Sequence, residues 1–122
     1  MNKARRRQLT KKERELIFAK TNGRCAYCGT KLIIKSMTVD HVVPLRQGGA
    51  DELENMLPAC RPCNHRKSSS TLESFRRQIE KSLSVFERDS VTYRNALRFG
   101  LIIPNEHDVI FYFEKLHKEK PC

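Results

Sequence analysis

The apolar positions in the first half of the chain are few, and their spacing predicts three short elements. Residues 11–21 carry a cluster of apolar side chains followed by an Asn-Gly pair, a combination that predicts a helix and its end. Residues 37–43 are rich in β-branched side chains and are predicted to form a strand. Residues 51–56 are predicted to form a short helical turn, with Asp51 as its cap.

In the second half, residues 61–81 show helical spacing. Leu72, Phe75 and Ile79 lie at positions i, i+3 and i+7, which places them on one face of a helix. The serines at 68–70 can interrupt this helix, so one long helix and two shorter helices both remain open. The other predictions are a helix over residues 90–98 that stops near Gly100, a strand over residues 109–113 and a terminal helical turn over residues 114–120.

A chain of 122 residues is expected to form one domain with a small core, and small cores often need additional stabilisation. A single domain over residues 1–122 is therefore predicted. Within it we expect a basic arm over residues 1–10, a core over residues 23–67 that holds the motifs described below, and a C-terminal extension over residues 71–122.

The charge of the chain indicates a polyanionic partner. Lys and Arg number 24 against 14 Asp and Glu, which gives a net charge of +10. Because each phosphate that a basic side chain neutralises releases counterions, this excess favours a nucleic acid. A basic surface without a specific partner is the plain alternative. No apolar stretch is long enough to span a membrane and no secretory signal opens the sequence, so a cytoplasmic protein without a membrane partner is predicted.

Four of the five cysteines form two C-x-x-C pairs, Cys25-Cys28 and Cys60-Cys63. Each pair lets two thiolates reach one tetrahedral ion from a single turn, and two pairs complete a closed four-sulfur site. A redox function would explain one pair but not both, and paired cysteines inside cells more often hold metal. The spacing therefore predicts a structural zinc that joins the two ends of the intervening segment, while Cys122 is expected to take no part.

Asp40 and His41 lie side by side within this enclosed segment, among apolar residues. Neighbouring residues of a strand point to opposite faces, so both can serve one site only where the backbone is distorted or the strand ends. A carboxylate can bind a hard cation and an imidazole can take a proton from water, a combination typical of a hydrolase. The pair therefore predicts an active site.

An ordered set of motifs resembles that of the HNH endonucleases with a zinc-binding ββα-metal core, including small phage HNH proteins: Asp40-His41-x-x-Pro44, Gly48-Gly49, Asn55, Cys60-x-x-Cys63-Asn64 and Lys67. The match covers roughly residues 23–67. It implies an α+β fold with a ββα-metal core, a four-cysteine zinc knuckle and additional N- and C-terminal helices. It also implies a metal-dependent endonuclease that hydrolyses DNA, expected to be double-stranded, to leave 5′-phosphate and 3′-hydroxyl ends.

The resemblance also implies a role for each matching residue. His41 corresponds to the general base that activates water, and Asp40 and Asn64 correspond to ligands of one catalytic divalent ion, Mg²⁺ or Mn²⁺. Asn55 corresponds to the asparagine that orients the base through hydrogen bonds. Lys67 corresponds to a basic residue near the scissile phosphate.

His65 and Arg66 lie between these positions and are further candidates. His65 could replace Asn64 as the metal ligand, although neighbouring side chains on a helix point about 100° apart and are not expected to share one ion. His65 could instead contact nucleic acid. Arg66 and Lys67 are predicted to contact the DNA backbone.

Two other classes of protein remain open. A non-catalytic zinc-ribbon protein that binds nucleic acid would have the same charge and cysteines, but it does not need Asp40, His41, Asn55 and Asn64 together. A protein-interaction module with a structural zinc leaves the charge of +10 unexplained. A homodimer, a larger phage or host complex, and a phage-encoded origin are compatible with the resemblance.

Overall fold

The computed structural model describes residues 7–119, in which six helices accompany a two-stranded sheet. In chain order the elements are α1 (Lys11–Ala19), β1 (Thr38–His41), β2 (Met56–Ala59), α2 (Arg61–Lys67), α3 (Leu72–Glu80), α4 (Ser82–Asp89), α5 (Val91–Arg98) and α6 (Tyr112–Glu119). Short 3₁₀ turns occupy Leu45–Gln47 and Leu53–Asn55. Residues 1–6 of the predicted basic arm, and Cys122, lie outside the described residues.

The chain divides into two compact units by its own contacts. The first takes in the residues up to Leu72 together with those from Ile110 onward, and the second is Glu73–Val109. The prediction of a single domain over residues 1–122 stays a prediction. The first unit carries the sheet and all the motifs of interest.

The centre of the first unit is an antiparallel pair of strands with a helix against it. β1 pairs with β2 so that Thr38 lies opposite Ala59 and His41 lies opposite Met56. α2 follows β2 directly and packs against β1, while α1 packs against β2. Pro58 is tolerated in β2 because a two-stranded sheet has only edge strands, and its carbonyl accepts a hydrogen bond from Ala26 N at 2.9 Å. The predicted α+β fold with a ββα core and flanking helices is confirmed.

Helix α1 forms where the sequence predicts it, because its first turn satisfies its own backbone donors. Thr10 Oγ1 accepts from Glu13 N at 3.1 Å, and Glu13 Oε1 accepts from Thr10 N at 2.9 Å, which together make a capping box. The bond from the Thr10 backbone also lowers the pKa of Glu13. Ile17 is the residue that α1 buries.

The choice between one helix and two over residues 61–81 is resolved at Ser68. This residue has φ of 49°, which an α-helix cannot accommodate, and the chain restarts as α3 four residues later. The helix predicted over residues 90–98 is confirmed as α5, with the Ser90 hydroxyl accepting from Tyr93 N at 3.1 Å. Gly100, predicted as its stop, has φ of 69°.

Several local predictions are wrong. Residues 109–113 form no strand, and α6 begins at Tyr112, because Tyr112 N and Phe113 N donate to the carbonyls of Tyr27 and Ala26 instead of to a sheet. Asp51 does not cap the turn that follows it, since no side chain does so. Strand β2 and helix α4 were not predicted from the sequence. Among the residues described, no helix has the length and apolar content needed to cross a membrane.

Candidate active site

The four paired cysteines come together at the junction of the two strands and α2. Their sulfur atoms all lie within 4.8 Å of one another, and the Sγ atoms of Cys28 and Cys60 are 3.8 Å apart. Ligands about 2.3 Å from a tetrahedral zinc ion are about 3.8 Å from each other. The cluster therefore fits a zinc ion with four sulfur ligands, which leaves no open coordination position for chemistry.

The thiols in this cluster already differ in acidity. A hydrogen bond from Cys63 lowers the pKa of the Cys25 thiol to about 4, and backbone hydrogen bonds add to the effect. The same bond raises the pKa of Cys63, and burial raises the pKa of Cys60. Each of the four cysteines would bind zinc as a thiolate, which is the form of cysteine that binds metal.

Asp40 and His41 lie at the end of β1, where the strand alternation stops. Both side chains are buried, with 4% and 7% of their surface exposed. They line one cleft of about 580 Å³, together with Asn64 and His65 from α2. The sequence left open whether the backbone is distorted at Asp40 and His41 or whether the strand ends there. The strand ends there, since His41 is the last residue of β1.

The carboxylate of Asp40 is held through one of its two oxygens. The hydroxyl of Tyr27 donates to Oδ2, and the ammonium of Lys67 lies 3.0 Å from the same atom. Burial, followed by the charge of Asp40, raises the pKa of Tyr27, so the hydroxyl keeps its proton and remains a donor. Among the described residues, none forms a hydrogen bond to Oδ1 of Asp40.

The predicted contact between Lys67 and a phosphate stays a prediction, and in this structure the side chain of Lys67 is buried. Lys67 has 0% of its surface exposed, and its ammonium also donates to the backbone carbonyl of His41 at 3.0 Å. A buried ammonium needs a counter-charge and acceptors, and Asp40 and this carbonyl supply them. In this conformation Lys67 belongs to the interior of the site and not to its solvent-exposed surface.

The imidazole of His41 is hydrogen-bonded to Asp51, which the sequence predicted only as a helix cap. His41 Nε2 lies 2.9 Å from Asp51 Oδ1, and Asp51 Oδ2 accepts from the backbone N–H of Arg7 at 2.7 Å. The bond from Arg7, and then that from His41, lowers the pKa of Asp51. Asp51 is therefore ionised near neutral pH and acts as an acceptor for His41.

Asn55 contacts the loop after His41, not the imidazole. Its Oδ1 accepts from Val43 N at 2.9 Å, and its Nδ2 donates to the carbonyls of Val43 and Ala50 at 2.9 and 2.8 Å. The loop is tight at Gly49, where a Cβ atom would lie 1.8 Å from the carbonyl oxygen of Val43. Asn55 and Gly49 therefore fix the backbone that leaves the active-site strand.

The remaining predicted residues lie on α2 beside the cleft. Asn64 is half-buried and His65 is exposed, and both line the cleft. Arg66 is exposed. Tyr27 packs as predicted, edge-on to Phe111 and Phe113 with ring centroids 5.2 and 6.1 Å away, but its bond to Asp40 was not predicted.

Comparisons with known proteins point to one family. Residues 25–70 match the family profile described as HNH endonuclease. Over 50 residues, 40% of its length, the chain is 36% identical to the CRISPR-associated endonuclease Cas9 of Corynebacterium diphtheriae. It spans only 5% of that protein.

A solved structure has the same fold. The Type II-C Cas9 enzyme from Actinomyces naeslundii aligns over 62% of this chain and 8% of its own, with a TM-score of 0.51 and 21% sequence identity. Residues 25–70, which match the family profile, include both cysteine pairs and the strand end that carries Asp40 and His41. Residues 25–70 of this chain therefore match the HNH endonuclease family.

Proposed function

We propose that this chain is a metal-dependent DNA endonuclease whose active site is the cleft at the end of β1. The observation that carries this proposal is the way in which Asp40 and His41 are held. Both residues line the cleft, and hydrogen bonds from the described residues reach only Oδ2 of Asp40 and Nε2 of His41. What remains is one carboxylate oxygen and one ring nitrogen, the atoms that a metal ligand and a general base require.

His41 is proposed as the general base. Because an ionised Asp51 only accepts, Nε2 of His41 carries the hydrogen and the lone pair of the neutral ring lies on Nδ1. Nδ1 would remove a proton from the attacking water, and the Asp51 carboxylate would stabilise the imidazolium formed. The water oxygen bonds to phosphorus as the bond to the 3′ oxygen breaks, which leaves a 5′ phosphate and a 3′ hydroxyl.

Asp40 and Asn64 are proposed as the ligands of one divalent ion, Mg²⁺ or Mn²⁺, since both ions prefer oxygen ligands. When bound, such an ion stabilises the negative charge on the phosphate and on the leaving oxygen. His65 lines the same cleft and is the alternative ligand. Asn55 is proposed to fix the position of His41 through the loop backbone rather than through the ring.

DNA is proposed as the substrate on the strength of charge and family. A chain with a net charge of +10 binds a phosphate backbone favourably, and the exposed Arg66 lies on the helix that lines the cleft. The matched relative from Corynebacterium diphtheriae is named an endonuclease. We propose that this DNA is double-stranded, as expected from the sequence.

A supercoiled plasmid tests this function. We expect nicked or linear product with Mg²⁺ or Mn²⁺, none with EDTA, and ends that ligase joins without prior phosphorylation. Asp40→Ala should lose the metal-stimulated cleavage, whereas Asp108→Ala, at an exposed position in the second unit, should retain it. DNA binding without cleavage under every divalent ion would instead favour the non-catalytic binding protein.

A further inference from the structure

The hydroxyl of Tyr27 connects the cysteine cluster to the active-site carboxylate. Tyr27 lies between Cys25 and Cys28, two residues of the four-sulfur cluster, and donates to Oδ2 of Asp40. Both side chains are buried, at 4% exposure each. The hydrogen bond therefore runs through the interior and is shielded from competing water.

The position of this hydroxyl is fixed from two sides. The backbone of the cysteine turn is tied to β2 by the bond from Ala26 N to Pro58 O at 2.9 Å. The ring of Tyr27 is enclosed edge-on by Phe111 and Phe113. Because both the backbone and the ring of Tyr27 are restricted, its hydroxyl can move little. The orientation of the Asp40 carboxylate is therefore determined by the position of this hydroxyl.

Lys67 acts on the same oxygen from the opposite element. It is the last residue of α2, and its ammonium lies 3.0 Å from Oδ2 of Asp40 and 3.0 Å from the carbonyl oxygen of His41. No described residue forms a hydrogen bond to Oδ1 of Asp40. In the described part of the chain, every fully buried side-chain oxygen has a hydrogen-bond partner, so Oδ1 is not fully buried and is accessible from the cleft that Asp40 lines. The two oxygens of Asp40 are thus distinguished by their surroundings.

We propose that Tyr27 and Lys67 are positioning residues that hold Oδ2 of Asp40, so that Oδ1 alone is presented to the catalytic ion. This inference rests on the proposed function, because it assumes that Asp40 binds that ion. A carboxylate presented through one oxygen suits Mg²⁺, which demands near-octahedral geometry and keeps several waters. The cysteine cluster would in this way set the geometry of the ion site without touching the ion.

Removal of the Tyr27 hydroxyl tests the proposal. Loss of a group that orients a metal ligand typically weakens metal affinity by about 10- to 100-fold. We expect Tyr27→Phe in the zinc-loaded chain to weaken Mn²⁺ binding, followed by electron paramagnetic resonance, by at least about tenfold. The Mg²⁺ concentration for half-maximal plasmid cleavage should rise equally, while the rate at saturating Mg²⁺ changes little and one zinc per chain is retained.

Tyr112→Phe is the matched control. It removes a hydroxyl from a half-buried tyrosine of the same unit, and that hydroxyl has no hydrogen bond among the described residues. This variant should leave Mn²⁺ affinity unchanged. A Tyr27→Phe protein that keeps its zinc and binds Mn²⁺ as tightly as the wild type would overturn the proposal.

The Mn²⁺ measurement separates this proposal from the proposed function. If the wild type binds Mn²⁺ and Asp40→Ala does not, yet no plasmid is cut, the nuclease function fails, and Tyr27→Phe still decides whether the carboxylate is positioned as described. If Mn²⁺ binding does not depend on Asp40, the positioning proposal is overturned whatever the cleavage result.

Discussion

The buried ion pair between Lys67 and Asp40 makes a specific prediction about stability. Lys67→Met removes the ammonium but keeps an unbranched side chain. Asp40 would keep its hydrogen bond from Tyr27 and lose its only close positive charge among the described residues. Removing one member of a buried pair costs about 3–5 kcal/mol. We expect a loss of about 3 kcal/mol in the free energy of unfolding, the lower end of that range, because Tyr27 remains.

Urea unfolding followed by circular dichroism measures this loss, at a fixed concentration of free zinc because zinc binding is coupled to folding. The double variant Asp40→Asn/Lys67→Met removes both charges and should recover more than half of the loss. Lys12→Met, at an exposed position of α1, is the control and should lie within about 0.5 kcal/mol of the wild type.

Two results would refute the reasoning. A Lys67→Met chain within about 0.5 kcal/mol of the wild type would mean that the ammonium is not buried against Asp40. The slope of log DNA affinity against log salt concentration counts the phosphates that the protein contacts. If this slope were shallower in Lys67→Met by about one phosphate contact, Lys67 would contact phosphate as the sequence predicts.

Three further predictions concern the framework of the site. Asp51→Asn should lower the cleavage rate by about 10- to 100-fold at unchanged DNA affinity, and the ¹⁵N shifts of His41 should show a loss of preference for hydrogen on Nε2; unchanged shifts would exclude the orienting role. Gly49→Ala should destabilise the chain by about 1–3 kcal/mol in thermal unfolding, because the added methyl meets the Val43 carbonyl; a wild-type melting temperature would contradict the tight loop. Chelation of zinc, or Cys28→Ser, should unfold the first unit in native-state hydrogen exchange, whereas full protection without zinc would show that the cluster is dispensable.

The parts of the structure with strong local signals were predictable from the sequence. The two C-x-x-C pairs together supply the four sulfur ligands of a tetrahedral zinc site, so their clustering could be predicted from ligand chemistry. Helix α1 was predictable because its apolar cluster and the following Asn-Gly pair are both local. Asp40 and His41 were candidates because an acid and an imidazole side by side in an apolar segment have no evident structural use, and both line one cleft.

The remainder depends on contacts between distant segments. The aromatic run at residues 109–113 is too short for its spacing to separate strand from helix. Its geometry is decided by the Tyr27 and Ala26 carbonyls, which take the backbone donors of Tyr112 and Phe113. The sequence of residues 109–113 does not indicate that these two carbonyls will accept its hydrogen bonds.

The burial of Lys67 and the hydrogen bond between Asp51 and His41 could not be predicted from the charge of these residues. A lysine in a basic run is ordinarily a surface residue, and only the fold brings it under Asp40. Asp51 looked like a helix cap, since aspartate often takes that position. Its bond to His41 arises because the loop fixed by Asn55 turns back toward the end of β1.

His41, at the end of β1, is proposed to remove the proton from the attacking water. Single-turnover cleavage of a supercoiled plasmid in Mg²⁺ tests it most directly, with wild type, His41→Ala and the exposed His107→Ala compared at saturating protein. We predict that His41→Ala binds the plasmid with wild-type affinity, retains its zinc and loses cleavage by about 100-fold or more, while His107→Ala cuts normally. Cleavage by His41→Ala at the wild-type rate would contradict the account.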